Sequence, residues 1–300
     1  MDAETHASDA GAAAAPPPVP VPGAVTPLDA IVCGDCLEGM ARLGAGCVDI
    51  IVTSPPYNIG KDYGRYDDSR PREEYLAWMA RVFAECRRVL RDDGSFFLNV
   101  GGKPSDQWVP LDLAMRAREQ FQLQNTIVWV KSIAIPRASV GRAAGLEHDL
   151  AVGHYKPVNS ARYLSSCHEL VFHLTKRGLS RLDKRAVGVP YQDKSNVRRW
   201  RSGAEDLRDR GNVWFIPYET IQSNRGHPSV YPPELPEMCI RLHGVRPGTV
   251  VLDPFMGTGS TAVAAVRLGV RYLGFELDPL YVAMAEERVA RLRARLMLRR

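Results

Sequence analysis

The sequence contains no apolar run close to the roughly 18 consecutive residues of a membrane-spanning helix, so no membrane association is expected. Cysteines are also few. The chain has six, and the only close pair, Cys33 and Cys36, has no second pair at metal-site spacing. The sequence therefore predicts no metal site and free thiols in a reducing cytoplasm, with zinc binding or redox chemistry at this pair as the alternative.

The amino terminus lacks the basic segment and the apolar core of a secretory signal. Residues 1–27 are instead rich in Ala and Pro, which predicts a disordered tail. Over the whole chain of 300 residues, 45% are apolar and 24% are charged, as in ordinary soluble globular proteins. The composition therefore predicts a soluble cytoplasmic protein with a sizeable core.

The net charge of +5 is confined to one part of the chain. Residues 177–225 contain eleven Lys and Arg against six Asp and Glu, a difference of +5, so the remainder is neutral. This basic stretch has no sustained hydrophobic period, and Tyr191, Trp200, Trp214 and Tyr218 are interleaved in it. A solvated basic surface is one interpretation, and contact with nucleic acid is the other.

Seven segments have the apolar, β-branched composition of buried strands, and helical stripes of apolar residues separate several of them. This alternation predicts an α/β fold with parallel strands. The predicted strands are 30–33, 48–52, 95–100, 126–130, 170–174, 249–252 and 272–275. The predicted helices are 36–43, 73–90, 111–121, 238–242 and 262–268.

The stretch Thr53–Asn58 (TSPPYN) follows a predicted strand and should lie at its carboxyl end, where open α/β sheets bind ligands. Pro55 and Pro56 remove two backbone N–H donors and stiffen the loop. Carbonyl oxygens and the Ser54 hydroxyl are then available as hydrogen-bond acceptors beside the Tyr57 ring. Such a loop suits a planar ring with an exocyclic amine, although a stiffened turn with a packed tyrosine is the alternative.

A second motif, Asp253–Thr261 (DPFMGTGST), lies between a predicted strand and a predicted helix. Its glycines let the backbone approach a ligand closely, and the helix N-terminus near Ser260 favours a carboxylate. An acidic residue, Glu276, follows the next strand about twenty positions on and can bind ribose hydroxyls. Taken alone, this motif fits a dinucleotide equally well.

Together the S-P-P-Y loop and the D-P-F-x-G-x-G motif resemble the amino-methyltransferases that act on DNA, of the beta class, whose catalytic loop precedes its cofactor loop. The resemblance extends from about Ile31 to about Val289 and leaves out a variable middle. It implies S-adenosyl-L-methionine as cofactor and a doubly wound, mostly parallel, seven-stranded Rossmann-like sheet. It also implies a catalytic half at 28–176, an irregular target-recognition insert at 177–225 and a cofactor-binding half at 226–300.

The resemblance implies roles for individual residues. The predicted catalytic residues are Ser54, Pro55, Pro56 and Tyr57. The predicted cofactor-binding residues are Asp35, Asp253, Pro254, Phe255, Gly257, Gly259, Ser260, Thr261 and Glu276. Asp35 would approach the adenine of the cofactor, although an Asp before a helix is equally suited to be an N-cap. His168 and Glu169 precede a strand and are interpreted as structural polar residues, not as catalysts.

The implied reaction is direct methyl transfer from S-adenosyl-L-methionine to the exocyclic amine of a base flipped out of duplex DNA. Ser54 and the Pro55 carbonyl would hold the amine hydrogens while Tyr57 stacks on the base. No cysteine stands in the Pro-Cys setting of the enzymes that methylate the ring carbon of cytosine. Family members with Ser in the loop more often act on cytosine N4 and those with Asp on adenine N6, so cytosine N4 is favoured.

The basic stretch resembles the target-recognition region of these enzymes, where Lys and Arg neutralise phosphates and a few side chains read base edges. Arg198, Arg199 and Arg201, which surround Trp200, are the predicted DNA contacts. The resemblance implies duplex DNA as partner, with a second copy of the chain and a cognate restriction endonuclease as further candidates. It also implies a bacterial or archaeal cytoplasm.

Rival functions share part of this pattern. An RNA or protein methyltransferase would share the cofactor half. The enzymes that methylate a protein glutamine, however, have Asn at the first loop position and lack a long basic insert. A non-catalytic DNA-binding protein of the same fold would be expected to have lost the loop or the glycines, and both are intact.

Overall fold

The computed structural model describes residues 27–140, 146–153, 157–191, 206–217 and 230–298. The rest of the predicted tail, residues 1–26, lies outside these ranges. Within them, no helix combines the length and the apolar character that crossing a membrane requires. Nor does this part of the chain hold three or more His, Cys, Asp or Glu side chains arranged to bind a metal ion.

An eight-stranded sheet forms the centre of the molecule. Its strands are β1 (Ala30–Cys33), β2 (Val48–Thr53), β3 (Leu90–Val100), β4 (Gln122–Val130), β7 (His168–Thr175), β10 (Val213–Phe215), β11 (Val250–Asp253) and β12 (Arg271–Glu276). Two short antiparallel pairs lie outside it, β5 (Ser132–Ile135) with β6 (Leu150–Gly153) and β8 (Val189–Pro190) with β9 (Leu207–Arg208). A 3-10 turn covers Arg137–Ser139.

In the described ranges, six helices cover the sheet. They are α1 (Cys36–Ala41), α2 (Arg72–Val89), α3 (Val109–Ala117), α4 (Glu234–His243), α5 (Ser260–Leu268) and α6 (Pro279–Met297). Apolar residues of α1, α2 and α3 pack in one buried cluster, and those of α4, α5 and α6 pack in another. The sheet is therefore covered by helices on both faces, as in a doubly wound fold.

The strand order is β1-β12-β11-β2-β3-β7-β4-β10, and β7 alone runs antiparallel to its two neighbours in this sheet. From the adjacent central strands β2 and β11, the chain continues to β3 on one side and to β12 on the other. The loops that follow β2 and β11 therefore diverge and leave a crevice between them, which is where such sheets bind ligands.

All seven predicted strands are present, and the sheet is mostly parallel as expected. The eighth strand, Val213–Phe215, comes from the stretch that the sequence assigns to the basic insert, and it pairs with β4. Trp214 is 1% exposed, and its indole donates to the Gly211 carbonyl at 3.1 Å. Trp214 is thus a core residue, whereas Val213 beside it is 58% exposed, and the bounds 177–225 of the target-recognition insert stay a prediction.

Candidate active site

A cavity of about 960 Å³ opens at the crevice beside the carboxyl ends of β2 and β11. It is lined by residues of both predicted motifs, although these lie some two hundred positions apart in the chain. The predicted site residues that line it are Asp35, Ser54, Pro55, Pro56, Tyr57, Pro254, Phe255, Gly257, Ser260 and Glu276. The fold thus brings the S-P-P-Y loop and the glycine motif to one site.

The loop after β2 is fixed from both sides. The Tyr75 hydroxyl of α2 donates to the Pro56 carbonyl at 2.7 Å. Beyond Tyr57, the buried Asp68 carboxylate accepts the backbone N–H groups of Asn58 at 2.7 Å and of Lys61 at 2.9 Å. The loop therefore has a defined conformation that does not depend on a ligand.

The Tyr57 hydroxyl lies in a group of polar side chains that we call the tyrosine cluster: Ser54, Tyr57, Asn99, Lys131 and Glu169. Tyr57 Oη is 2.7 Å from Ser54 Oγ, 2.9 Å from Asn99 Nδ2 and 3.0 Å from Glu169 Oε2. Asn99 Nδ2 also donates to Glu169 Oε2 at 2.7 Å. Lys131 forms an ion pair with the other carboxylate oxygen, Oε1. Residues at the ends of β2, β3 and β7 thus contact the Tyr57 hydroxyl, and Lys131, just after β4, contacts the Glu169 carboxylate.

The charges of the tyrosine cluster follow from its partners. Burial would raise the pKa of the Glu169 carboxyl, but Lys131 and the hydrogen bonds from Asn99 and Tyr57 outweigh it and lower that pKa. Burial and the nearby Glu169 charge raise the pKa of Tyr57 well above its usual value. The cluster therefore holds a carboxylate and a neutral tyrosine at neutral pH.

Asp253 and Thr261, which are predicted to bind the cofactor, belong to a buried hydrogen-bond network. Neither residue lines the cavity, and both are 0% exposed. The Asp253 carboxylate accepts the hydroxyl groups of Thr53 at 2.5 Å, Thr261 at 2.6 Å and Tyr231 at 2.9 Å, and the Phe255 N–H at 3.0 Å. Asp253 therefore joins the end of β2, where the S-P-P-Y loop begins, to the start of α5.

The two glycines of the motif also differ from each other. Gly257 lines the cavity, and its φ of 52° lies in the left-handed region that glycine adopts readily. Gly259 does not line the cavity, and a Cβ on it would lie 2.8 Å from the Ala285 Cβ of α6. Gly259 thus allows α5 and α6 to pack closely, and the ligand contact predicted for it stays a prediction.

The acidic residues at the carboxyl ends of β1 and β12 lie on the cavity as predicted. Glu276 accepts the N–H groups of Gly257 at 2.8 Å and Asp278 at 3.0 Å, which fixes its carboxylate, and burial raises its pKa. Asp35 accepts the N–H groups of Leu37 at 2.8 Å and Glu38 at 3.1 Å. Asp35 is thus the N-cap of α1 and also lines the cavity, so its two interpretations are compatible.

The predicted DNA contacts Arg198, Arg199, Trp200 and Arg201 lie outside the described residues. Two flanking parts of the basic stretch, 177–191 and 206–217, are described, and β8 pairs with β9 across the gap between them. In this part Arg210 donates to the Val187 carbonyl at 2.8 Å, and Lys184 forms an ion pair with Asp209.

Sequence reasoning missed Asn99, Lys131 and Tyr231 as site residues and took Glu169 for a structural residue, yet all four line the cavity. Asn99, near the end of β3, and Lys131, just after β4, show the same sequence pattern as Ser54. Each is a polar residue at the end of an apolar run. Glu169 does not show this pattern, because β7 is antiparallel and its amino end lies at the edge where its neighbours have their carboxyl ends.

Comparison with known proteins places this arrangement among DNA methylases. A family model described as DNA methylase matches residues 48–287. The type II methyltransferase M.BglII from Bacillus subtilis is 29% identical over 272 residues, which cover 86% of this chain and 68% of the relative. The DNA adenine methyltransferase YhdJ from Escherichia coli K12 is 27% identical over 264 residues, which cover 86% of this chain and 82% of the relative.

A solved structure shares the fold. TTHA0409 from Thermus thermophilus, crystallised with S-adenosyl-L-methionine, superposes with a TM-score of 0.56. Its sequence is 27% identical, and the match covers 88% of this chain and 93% of TTHA0409. The α/β architecture described above is therefore that of the S-adenosyl-L-methionine-dependent methyltransferases.

Proposed function

The chain belongs to the DNA methylase family, and on that premise we propose that it methylates the N4 amino group of cytosine in duplex DNA. The observation that carries the proposal is the single cavity shared by Ser54 and Tyr57 on one side and by the glycine motif and Glu276 on the other. An amine acceptor and a nucleoside-type cofactor can therefore meet there.

S-adenosyl-L-methionine is the cofactor. Ser260 Oγ, at the N-terminus of α5, is buried on the cavity wall and has no hydrogen-bond partner in the described part of the protein. Such an atom, together with the helix dipole, suits the amino-acid carboxylate of the cofactor. Glu276 would accept the ribose hydroxyls, and Asp35, which also lines the cavity, would approach the adenine as the resemblance implies. When bound, the cofactor would supply a methyl group from its sulfonium, whose sulfur would keep the two electrons of the broken S–C bond.

The S-P-P-Y loop orients the nucleophile. The lone pair of an exocyclic amine is delocalised into the ring, so the nitrogen attacks poorly unless its hydrogens are held out of the ring plane. Ser54 and the Pro55 carbonyl would accept those hydrogens, which directs the lone pair toward the methyl group. The nitrogen then forms the new N–C bond and loses one proton to water.

The target base must leave the DNA helix to reach this cavity, which costs roughly a few kcal/mol. Stacking on the Tyr57 ring would offset part of that cost. Basic residues of the 177–225 stretch, including Arg198, Arg199 and Arg201 around Trp200, would hold the DNA backbone and read the target. The resemblance supports this role, as does the net charge of +5 in that stretch.

Cytosine N4 is proposed because Ser54 occupies the first loop position, and adenine N6 is the alternative, which the similarity to an adenine methyltransferase supports. Family membership also supports a bacterial or archaeal cytoplasm and, as candidate partners, a second copy of the chain and a restriction endonuclease.

The test is product identification. The purified protein is incubated with labelled S-adenosyl-L-methionine and unmethylated genomic DNA, and the digested nucleosides are analysed by mass spectrometry. Labelled N4-methylcytosine is the expected product. N6-methyladenine would move the assignment to the alternative base, and DNA without label would overturn the proposed function.

A further inference from the structure

We propose that Glu169 is a positioning residue: it sets the proton directions of the tyrosine cluster so that Ser54 and Asn99 both offer acceptors to the amino group of the target base. The inference rests on the proposed function, since it requires an amine at this site.

The first step concerns the hydrogen bond between Ser54 and Tyr57, in which either hydroxyl could donate. The Tyr57 hydroxyl has a single hydrogen to donate, and its oxygen lies 3.0 Å from Glu169 Oε2. An ionised carboxylate only accepts hydrogen bonds, so the Tyr57 proton is directed to Glu169. Ser54 must then donate to Tyr57, and a lone pair of Ser54 Oγ is left for the substrate amine.

The second step concerns the side-chain amide of Asn99, which is 2% exposed and lines the cavity. Its Nδ2 lies 2.7 Å from Glu169 Oε2 and 2.9 Å from Tyr57 Oη. Because Glu169 accepts only, this carboxylate fixes which end of the amide faces it. Asn99 Oδ1 is consequently turned away from Glu169, and it has no hydrogen-bond partner among the described residues.

A buried acceptor without a partner is rare in folded proteins and indicates a ligand group that is not part of the chain. An exocyclic amine supplies such a group, since a hydrogen that it donates to Ser54 or to the Pro55 carbonyl can be shared with Asn99 Oδ1. The Asn99 amide lies beside Ser54, since Asn99 Nδ2 is 3.3 Å from Ser54 Oγ. One carboxylate therefore orients two acceptors at once.

Lys131 determines which oxygen of Glu169 is available to Tyr57 and Asn99. Its ammonium pairs with Glu169 Oε1, while Oε2 receives the donors of Tyr57 and Asn99. In a Glu169→Gln variant, Lys131 would attract the amide oxygen, so the amide NH₂ would face Tyr57 and Asn99. Tyr57 would then donate to Ser54, and Asn99 would turn its oxygen away from the amine. The Asn99 acceptor would be lost, and Ser54 would give one of its two lone pairs to Tyr57 instead of to the amine, without a change in side-chain volume.

The experiment measures the initial rate of methyl transfer to unmethylated genomic DNA at saturating S-adenosyl-L-methionine, together with cofactor affinity. Glu169→Gln is expected to reduce the rate roughly 100-fold, as the loss of preorganised hydrogen bonds typically does, and to leave cofactor affinity within about threefold. The matched control is Glu85→Gln, which removes an ion pair with Arg88 on α2, far from the cavity, and should leave both quantities unchanged.

Two double variants separate orientation from mere structural support. In Lys131→Met/Glu169→Gln the amide can turn its oxygen to Tyr57 and Asn99, so at least about tenfold of the lost rate should return. In a Tyr57→Phe background, Glu169→Gln should reduce the rate by less than about tenfold, because the Ser54–Tyr57 bond is already gone.

The outcomes are distinct. A wild-type protein that labels no DNA overturns the proposed function and this inference together. If the wild type labels DNA, three results would overturn the inference alone: an unchanged rate in Glu169→Gln, a joint loss of rate and cofactor affinity, or strictly additive effects in the Tyr57→Phe background.

Discussion

The two loops that line the cavity are held by different parts of the chain. The loop after β2 presents the side chains of Ser54 and Tyr57, and other side chains, Asn99 and Glu169, fix them. The loop after β11 presents mainly backbone, which Glu276 fixes through the Gly257 N–H. Substitutions in the first loop should therefore alter chemistry, and those around the second should alter cofactor affinity.

The largest effect is expected where the two loops are joined. Asp253→Ala should affect both the methyl-transfer rate and the cofactor affinity. It removes the carboxylate that accepts hydrogen bonds from the buried hydroxyls of Thr53, Thr261 and Tyr231. The free energy of unfolding should fall by about 4 kcal/mol, as expected when a buried hydrogen-bonded network is broken. Denaturant unfolding measures this change.

The control for that substitution is Asp92→Ala. Asp92 is exposed and pairs with Lys176 and Arg177 at the surface, so its removal should change stability by less than about 0.5 kcal/mol. Equal losses in the two variants would show that Asp253 does not join the loops.

Low pH should lower the free energy of unfolding of the whole domain, because a buried histidine of β7 becomes protonated. His173 is buried between Ser95 and Asn125, and burial lowers its pKa from 6.5 to about 4. Between pH 6.5 and about pH 4, His173 is therefore protonated in the unfolded chain and neutral in the folded chain. Stability that is complete above pH 6.5 should fall as pH drops toward 4, by on the order of 3 kcal/mol.

His173→Gln should flatten this pH dependence, since Gln keeps hydrogen-bonding groups but does not titrate in this range. Denaturant unfolding between about pH 7.5 and about pH 4.5 compares the two proteins. An identical slope in both would show that another group is responsible for the acid loss.

Tyr57→Ala isolates the first loop. It removes the ring on which the flipped base would stack and the hydroxyl that Ser54 contacts. Methylation should slow roughly 100-fold, because base–aromatic stacking contributes about 1–3 kcal/mol. Cofactor affinity should stay within about threefold, because the ring would contact the base and not the cofactor. Titration of S-adenosyl-L-methionine by calorimetry and a rate assay check the pair of values, and equal losses would contradict the role of the ring.

Glu276→Gln isolates the second loop and should have the smallest effect. Gln can accept only at its single oxygen, so either the Gly257 or the Asp278 N–H loses its partner. Cofactor affinity should fall about tenfold, with the rate at saturating cofactor nearly unchanged. A reduced rate with intact affinity would place Glu276 in the chemistry instead.

Much of this architecture could be predicted from local patterns. Apolar β-branched runs identified all seven predicted strands, and motif position placed Ser54 and Glu276 at strand ends that the sheet brings together. These properties depend on a few neighbouring residues and on the rule that parallel strands share a carboxyl edge.

What depended on tertiary contacts could not be predicted. Gly259 resembles a ligand-binding glycine in sequence, but its position is set by Ala285 of a helix twenty-six residues on. Trp214 lies in a short apolar run within the basic stretch, and its pairing with β4 shows that this run joins the central sheet. Glu169 precedes its predicted strand, and only the antiparallel direction of β7 brings it to the site.

The central claim is that the S-P-P-Y loop acts on the methyl acceptor while the glycine motif holds the cofactor. Ser54→Ala tests it most directly, with cofactor affinity and the initial rate of DNA methylation measured on the same preparation. The account predicts a rate reduced at least about 100-fold and an affinity within about twofold of the wild type. An unchanged rate, or a rate and an affinity that fall together, would contradict it.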